Sequence, residues 1–372
     1  MNRHFLKRVN AQNMNRQIDV AVLGLGMMGA THVGAAKASP YVRTIYGYEP
    51  DPARAALRGK ELGVKATSDL DSILTNPEVK LIYIASINSV HAEQAIMALR
   101  ARKAVLCEKP MAEDIEGARA LIAAAKETGQ FLQIGFELHY SKLYTTAKEW
   151  IDQGRIGTVV NTQCRYYCSE FHLKNSWRSN SKGSLIGEKL SHYLDLQRWF
   201  TGSPVEEVFS MAAPNVVEYF NHPDNHQISM RFKNGAISHL NFAMYIAESD
   251  HGDPLLDMLD KQSDDGHFLQ YHIFGTNGAI ETDVFRRRVR RWEFTDSPDR
   301  LVSKIAETVT YEKQDDNQWI HNTHGQNVRI AELVACGLPP ETPADDSFET
   351  MRVGFAAEIS EKEKRIVCLG EL

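Results

Sequence analysis

Cysteine is scarce in this sequence, which has five in 372 residues, scattered along the chain. An odd number of scattered cysteines argues against a disulfide framework and is typical of reduced thiols in a cytoplasmic protein. Cys164 and Cys168 lie four residues apart on a predicted strand, but no second pair stands at metal-ligand spacing. We therefore expect no zinc site and no other bound metal.

Long apolar runs and an excess of positive charge are also absent. No run is long enough to cross a bilayer, and the net charge of −6 offers no attraction for nucleic acid. Residues 1–17 are polar and basic and lack the apolar segment of a secretory signal, so we interpret them as a disordered or extended lead-in. These absences favour a cytoplasmic protein that binds neither membranes nor nucleic acid.

The length and pattern of the chain indicate two domains. A chain of 372 residues can form about two cores. Over residues 18–140, short apolar runs alternate with helix-compatible segments, which is typical of a parallel sheet with helices on both faces. We predict an α/β protein with an N-terminal domain of this kind at 18–140 and a second domain at 141–372.

The second domain, residues 141–372, is predicted to be an α/β domain with an open, mainly antiparallel sheet. Runs rich in Val, Thr, Tyr and Phe show period-two character. Ile228–Phe232 and Ala236–Phe242 flank Asn234-Gly235, the dipeptide that a type I′ hairpin turn prefers. Because an open sheet must bury its uncovered apolar face, we expect that face to be an oligomer surface.

The second domain also contains an acidic stretch and two C-terminal helical patterns. The acidic stretch at residues 249–267 is predicted to be a loop, either an insertion over a site or a mobile tip. The helical patterns at 327–336 and 348–365 are predicted to form C-terminal helices that pack back on the first domain.

A glycine-rich turn follows the first predicted strand, Val20–Leu23, and has the form G-x-G-x-x-G. Gly24 permits the tight turn, Gly26 lets the backbone approach a pyrophosphate, and Gly29 lets the next helix pack close to the strand. The phosphates would lie at the N-terminus of that helix, which favours anions. The residues predicted to contact a dinucleotide here are Gly24, Gly26, Met27, Met28 and Gly29.

An acid follows the second predicted strand at Glu49, close to the offset of about 20 residues at which such folds hold a ribose hydroxyl. A carboxylate there repels a 2′-phosphate, so NAD is favoured as the cofactor. Arg43 and Arg54 are close enough in sequence to weaken that preference, which keeps NADP as the alternative.

Two more loops follow strands of the predicted parallel sheet, at residues 86–91 and at Glu108–Pro110. Ligands bind beyond the carboxyl ends of such strands. Pro110 restricts Lys109 to an extended conformation. The Lys109 ammonium could stabilise the alkoxide that forms as hydride leaves a substrate carbon. The alternative is a surface Glu108–Lys109 pair at a strand end.

A histidine and two acids recur at helical spacing near residue 190. On an α-helix, Glu188, His192 and Asp195 lie at i, i+4 and i+7, on one face. His192 is suited to take a hydroxyl proton near neutral pH, while one acid orients it and the other holds substrate hydroxyls. The alternatives are a solvated helix face and, less favoured, a metal site.

Together these stretches resemble the Gfo/Idh/MocA oxidoreductases, typified by glucose–fructose oxidoreductase and inositol dehydrogenase. The matching segments span most of residues 18–285. They are Gly24–Gly29, Ser86–His91, Glu108–Pro110, Gly154–Gly157, Trp177-Arg178, His192–Asp195 and Trp199–Gly202.

The resemblance implies a Rossmann domain and an open-sheet α/β domain, assembled as a homodimer or homotetramer. It implies NAD(P)-dependent oxidation of a secondary hydroxyl on a sugar, cyclitol or sugar derivative. It implies that Lys109 and His192 are catalytic, that Asp195 pairs with His192, and that Glu188 stands where many members have Asp. It also implies that the cofactor is contacted by the loop that runs beside its nicotinamide and by the loop that contains Lys109. These cofactor residues are Ser86, Asn88, His91, Glu108 and Lys109.

The sequence also departs from the family pattern. Ile87 replaces a usual Pro, Leu190 a common Gly, and His139 a common Arg. The substrate is therefore not transferable from well-known members. The residues predicted to contact substrate are Lys109, Arg165, Trp177, Arg178, Glu188 and His192, with Tyr167 and Tyr193 as further pocket candidates.

Three functions follow, and the leading one is an NAD(P)-dependent dehydrogenase with a Lys109/His192 acid–base pair acting on a small carbohydrate or cyclitol. The second is a redox-neutral enzyme that cleaves, eliminates or epimerises through a transient ketone, for which Lys189 would be an extra acid–base group. The third is a non-catalytic NAD sensor, since fold does not determine function.

Overall fold

The computed structural model describes residues 16–168, 174, 184–244 and 268–372. Trp177, Arg178 and the acidic stretch 249–267 lie outside the described residues. The described chain forms two compact units, the first running up to Phe136 and including Thr323–Glu349, the second made of Glu137–Asn322 and Thr350–Leu372. None of the helices described combines the length and apolar character that a bilayer crossing needs.

The first unit contains a six-stranded sheet in which every pair of neighbours is parallel. The strand order is β3-β2-β1-β4-β5-β6, so the chain reverses direction across the sheet between β1 and β4. Its strands are β1 Ile18–Leu23, β2 Val42–Tyr48, β3 Lys65–Thr67, β4 Val79–Ile84, β5 Ala104–Cys107 and β6 Leu132–Ile134.

Helices alternate with these strands, as predicted. They are α1 Met27–Ala38, α2 Pro52–Leu62, α3 Leu70–Leu74, α4 His91–Arg100 and α5 Ile115–Thr128, with a 3₁₀ turn at Asn88–Val90. Acidic residues cap two of them: the Asp69 side chain accepts from backbone N–H groups of α3, and the Asp114 side chain accepts from the backbone N–H of Gly117 in α5. Gly63 and Gly129 end α2 and α5 in the left-handed conformation, where glycine has no Cβ penalty.

The first unit also receives a helix from late in the chain. After the short α8 Asp316–Trp319 of the second unit, α9 Thr323–Cys336 belongs to the first. Its Ile330 and Ala331 are fully buried in the same core as Val20, Leu81 and other β1 and β4 side chains. The hydroxyl of Tyr41 donates to Glu332 at 3.2 Å and so ties α9 to the start of β2.

The second unit is built on a nine-stranded, mainly antiparallel sheet of order β14-β13-β12-β11-β7-β10-β9-β8-β15. One pair of neighbours, β7 and β10, is parallel. The strands are β7 Val159–Cys168, β8 Val205–Ala212, β9 Asn225–Phe232, β10 Ile237–Met244, β11 Phe268–Gly275, β12 Gly278–Asp283, β13 Arg288–Asp296, β14 Leu301–Thr310 and β15 Val367–Cys368.

The predicted hairpin is confirmed, because β9 and β10 pair antiparallel around Gly235, whose φ is +85°. The β13–β14 hairpin was not predicted.

Helices pack on one face of this sheet. The ring of Tyr193, on one of these helices, lies 4.8 Å from the ring of Tyr166 on β7. These helices are α6 Lys142–Asp152, α7 Ser191–Thr201 and α10 Ala344–Glu363, of which α10 continues from the first unit into the second.

Candidate active-site residues in the two units

The turn after β1 has the geometry of a dinucleotide site. Gly24 has φ +86°, and a Cβ on Gly29 would lie 1.9 Å from the Gly24 carbonyl oxygen, so both positions exclude side chains. A Cβ on Gly26, in contrast, would meet nothing within 4 Å. Gly26 is the N-cap of α1, and within the described residues no side chain caps that helix. Backbone N–H groups and an open approach thus converge where the pyrophosphate of NAD would bind.

The side chain of Glu49 contacts this turn directly. Leu25 N–H donates to Glu49 Oε2 at 3.1 Å, and Arg54 Nε lies 3.3 Å from Glu49 Oε1. Arg43 is held by Asp19 at 2.8 Å and Glu78 at 2.7 Å, at the amino ends of β1 and β2. It therefore lies at the opposite end of these strands from the turn. Of the two arginines that weakened the preference for NAD, only Arg54 lies beside Glu49.

The side chain of Glu108 is buried and binds another residue of the first unit. Asn327 donates to His32 Nδ1 at 2.6 Å, so the hydrogen of the neutral ring is on Nε2 and is donated to Glu108 Oε1 at 3.0 Å. The His32 side chain is fully buried and stacks on Tyr83, with the ring centroids 5.5 Å apart. This chain of contacts fixes the end of β5 immediately before Lys109.

The two remaining loops of the first unit are joined by His91. Its Nδ1 lies 2.8 Å from the carbonyl oxygen of Pro110 and its Nε2 lies 3.1 Å from that of Ser86. Burial lowers the pKa of His91 and outweighs the carbonyl contacts. The ring lies between the loops after β4 and β5, and in its neutral form it can donate to only one of the two carbonyl oxygens at a time. Asn88 is buried in the first loop, and Lys109 is half-buried in the second.

In the second unit, one carboxylate lies between two histidines. Glu137, in the 3₁₀ turn Glu137–Tyr140, has Oε1 2.5 Å from His321 Nδ1 and Oε2 3.4 Å from His192 Nε2. The side chains of Glu137 and His192 are 9% and 3% exposed. An imidazole beside a carboxylate can accept a proton while the carboxylate balances the new charge.

Asp195 has different partners from the one that the family resemblance implied. Its Oδ2 lies 2.5 Å from His139 Nε2, and its Oδ1 accepts a hydrogen bond from Thr350 at 2.7 Å. Burial raises the pKa of Asp195, but His139, Arg198 and Thr350 outweigh that effect and hold it below its usual value. The structure does not show the pairing of Asp195 with His192 that the resemblance implied: Asp195 contacts His139, and a carboxylate oxygen of Glu137 lies 3.4 Å from His192 Nε2.

The helix that carries His192 also differs from the prediction. Ile186–Leu190 is a π-helical turn, and the α-helix starts only at Ser191. Glu188 therefore does not share the α-helical i, i+4 relation with His192 that the spacing suggested. The ammonium of Lys189 lies 5.9 Å from the ring centroid of Tyr166, as a cation–π contact.

The predicted pocket residues on β7 face away from this helix. Tyr166 contacts Tyr193 on α7, so its neighbours Arg165 and Tyr167 point to the opposite face of the sheet. There Arg165 donates to Gln270 at 3.4 Å, and the ring of Tyr167 lies 5.9 Å from that of Phe268. Arg165 thus lies on the opposite face of the sheet from Tyr193, and its assignment as a substrate residue stays a prediction.

Tyr193 belongs to the core, and the residues around His192 were largely missed from sequence. Tyr193 is fully buried, burial raises its pKa well above the usual value, and its carbonyl accepts from the Tyr271 hydroxyl. Glu137 and His321 were not predicted. The only signal for Glu137 was its place just after the last strand of the first sheet, where ligand-facing residues are common.

Comparisons with known proteins agree with this architecture. Residues 18–136 match the model of an oxidoreductase family with an NAD-binding Rossmann fold, and residues 144–281 match the GFO/IDH/MocA C-terminal domain. An uncharacterized oxidoreductase of Streptococcus pneumoniae is 30% identical over 275 residues, which are 72% of this chain and 69% of that protein.

Two further similarities concern levoglucosan dehydrogenases. The enzyme of Pseudarthrobacter phenanthrenivorans is 30% identical over 221 residues, and the match spans about half of each protein, 55% of both. A levoglucosan dehydrogenase solved in complex with NADH and levoglucosan has the same fold, with a TM-score of 0.80 and 22% identity over 95% of this chain and 99% of that one.

The sheet order of the first unit, the open Gly26 turn and the matches to both family domains lead to one assignment. The chain belongs to the Gfo/Idh/MocA family of oxidoreductases, with an NAD-binding Rossmann domain followed by the family's C-terminal domain.

Proposed function

We propose that this protein is an NAD-dependent dehydrogenase that oxidises a secondary hydroxyl of a sugar, cyclitol or sugar derivative, with Lys109 and His192 as its acid–base pair. The name of the levoglucosan dehydrogenase relative and the resemblance to inositol dehydrogenases support this substrate class. NAD is preferred over NADP, because Glu49 stands at the turn where a 2′-phosphate would meet its charge.

The observation that carries the proposal is the position of Lys109 relative to the glycine turn. The turn follows β1 and Lys109 follows β5, at the same carboxyl edge of one parallel sheet, with β4 between them. Neighbouring strands are about 4.8 Å apart, so these ends are separated by roughly 10 Å. A dinucleotide held at the turn can extend its nicotinamide toward Lys109, whose backbone is fixed by the Glu108–His32 contact.

Bound NAD supplies the hydride acceptor at the substrate carbon. The Lys109 ammonium donates a hydrogen bond to the substrate oxygen and stabilises the negative charge that develops there. His192 removes the proton of the same hydroxyl and becomes an imidazolium. The residues that would hold the cofactor are Gly24–Gly29, Glu49, Ser86, Asn88 and His91.

The test is nicotinamide reduction, followed at its near-ultraviolet absorbance, with NAD or NADP and a panel of inositols, free sugars, sugar acids and anhydrosugars. We expect Lys109→Met and His192→Ala each to lower kcat by about 10²–10⁴-fold, with NADH affinity changed less than about threefold. Lys80→Met, an exposed lysine of β4, is the matched control.

Near-normal turnover in both variants would refute the proposed acid–base pair. A product formed without net NADH would support the redox-neutral alternative instead. Tight NAD binding with no product from any compound would support a sensor.

We also propose that the protein is cytoplasmic and forms a homodimer or homotetramer through the nine-stranded sheet. Met211 of β8 and Ile237 of β10 support this, being 51% and 45% exposed at positions that alternate with buried ones. Exposed apolar side chains on a sheet favour burial against another copy. Light scattering on the purified protein and on Ile237→Lys would test it, since the charge should shift the assembly toward the monomer.

A further inference from the structure

The pairing of Glu137 with two histidines goes beyond the family assignment. We propose that Glu137, and not Asp195, is the carboxylate that orients His192 and balances its charge during catalysis, and that His321 positions Glu137. Both are positioning residues in this scheme, which rests on the proposed function of His192 as the base.

The distances define how Glu137 is shared. One carboxylate oxygen lies 2.5 Å from His321 Nδ1 and the other lies 3.4 Å from His192 Nε2. Each oxygen thus serves a different ring, and the rings are nearly perpendicular, with centroids 6.0 Å apart and an interplanar angle of 81°. A carboxylate held in this way determines the orientation of both imidazoles.

Proton transfer then follows from the nitrogen that faces Glu137. With His192 Nε2–H directed at Glu137, the substrate hydroxyl proton goes to Nδ1 of the same ring. The ring becomes an imidazolium that keeps its Nε2–H, and its positive charge is paired with the negative charge of Glu137. The hydroxyl proton thus goes to His192 Nδ1, and bound NAD would supply the acceptor for the hydride of the same carbon, so charge and atoms balance.

His321 can orient Glu137 without neutralising it. A hydrogen on Nδ1 is donated to Glu137, while Nε2 is buried and has no hydrogen-bond partner in the described part of the chain. A second ring hydrogen there would be a buried donor without an acceptor, which is unfavourable. The neutral form with hydrogen on Nδ1 therefore leaves the full charge of Glu137 available to His192.

Flanking contacts keep His321 beside the turn that carries Glu137. The Asn322 side chain donates to the carbonyl of Tyr140 at 2.9 Å, and the Ser141 hydroxyl donates to the carbonyl of Ile320. These hydrogen bonds join the residues on each side of His321 to the end of the 3₁₀ turn. These two contacts hold His321 beside the turn independently of its own contact with Glu137.

The carboxylate of Asp195 binds other partners, His139 and Thr350. It is 2% exposed, it contacts His139 and Thr350, and Arg198 Nη1 lies 4.0 Å away. Trp199 stacks on His139 with centroids 4.3 Å apart. The other ionisable residues close to His192 on its own helical segment are Glu188 and Lys189.

The decisive experiment compares Glu137→Gln with Asp195→Asn. Glutamine keeps the shape of Glu137 but has no charge. We expect E137Q to lower kcat by about 10²-fold or more with KM changed less than threefold, and to lower the pKa of the acidic limb of the pH profile by about 1–3 units. His272→Asn is the matched control, because His272 lies 3.6 Å from Glu281 in the same unit.

NMR titration of the His192 ring provides a readout that needs no turnover. The His192 signal is assigned by its loss in His192→Asn, and its pKa is measured in wild type, E137Q and D195N. A larger fall in E137Q than in D195N supports the pairing even if no substrate is oxidised, in which case only the proposed function fails. A fall in D195N alone, with E137Q unchanged, would overturn the pairing.

Variants of His321 test its positioning role. His321→Gln keeps a donor, whereas His321→Leu keeps similar bulk without one. We expect H321L to lose about tenfold or more in kcat and H321Q to recover most of that loss, with similar thermal unfolding for both. Equal activity of the two variants would refute the role of His321 as a donor to Glu137.

Discussion

The Gly26→Ala variant should separate nucleotide binding from folding. Gly26 has φ −73° and ψ −154°, which an alanine can adopt, and a Cβ there would meet nothing within 4 Å. The free protein should therefore tolerate the methyl group. Because alanine is a poorer N-cap than glycine, we expect the free energy of unfolding to fall by less than about 1 kcal/mol.

The same methyl group should obstruct the cofactor. It occupies the approach to the first turn of α1, where backbone N–H groups would donate to the pyrophosphate. Losing one hydrogen bond to a charged group weakens binding by about 1.5–3 kcal/mol, which corresponds to roughly 10–100-fold in Kd. We expect a loss of NADH affinity in that range.

The assay pairs NADH fluorescence titration with urea unfolding. Gly34→Ala is the matched control, since Gly34 lies in the same helix and a Cβ there also meets nothing within 4 Å. It should keep NADH affinity and raise the unfolding free energy by about 0.5–1 kcal/mol. A G26A variant whose NADH Kd stays within twofold of wild type would refute the placement of the pyrophosphate at this turn.

Two more predictions concern stability. Gly29→Ala places a Cβ 1.9 Å from the Gly24 carbonyl oxygen, so it should lower the unfolding free energy by about 1–3 kcal/mol in urea titrations; an unchanged midpoint would contradict the close packing of α1 on the turn. Burial, helped by Glu361, raises the pKa of Glu358 to about 7. Because the folded pKa lies above the unfolded one, its contribution to stability is complete below about pH 4.5 and is lost as the pH rises to 7. Urea unfolding at pH 5 and 8 should show that Glu358→Gln removes roughly 2.5 kcal/mol of this pH dependence. The same pH dependence in wild type and variant would refute it.

Much of the first unit was predictable because its signals are local. Val20–Leu23 and Val79–Ile84 are apolar runs that the structure buries almost completely as β1 and β4. The helix Pro52–Leu62 begins at a proline and ends just before Gly63, and both residue types mark helix ends in a sequence. Lys65–Thr67 was missed, since a strand of three residues carries too little pattern.

The β13–β14 hairpin was missed for a different reason. Most of β14 is exposed, and it does not alternate between apolar and polar residues. It is a strand because β13 supplies hydrogen-bonding partners over its length, and the sequence of β14 contains no sign of that pairing.

For the candidate site, the sequence was enough to predict features that depend on single residues or on short motifs. The G-x-G-x-x-G turn, Lys109 at a strand end and a histidine at 192 could all be predicted, because each depends on neighbours within a few positions. The pairing of carboxylates with histidines, in contrast, depends on how distant parts of the chain fold together. Glu137 is 55 residues from His192 and 184 from His321, whereas Asp195, the acid closest to His192 at helical spacing, is bound by His139. Distance along the chain does not limit contact in a folded core, and a π-helical turn removes the regular spacing on which a helical prediction depends.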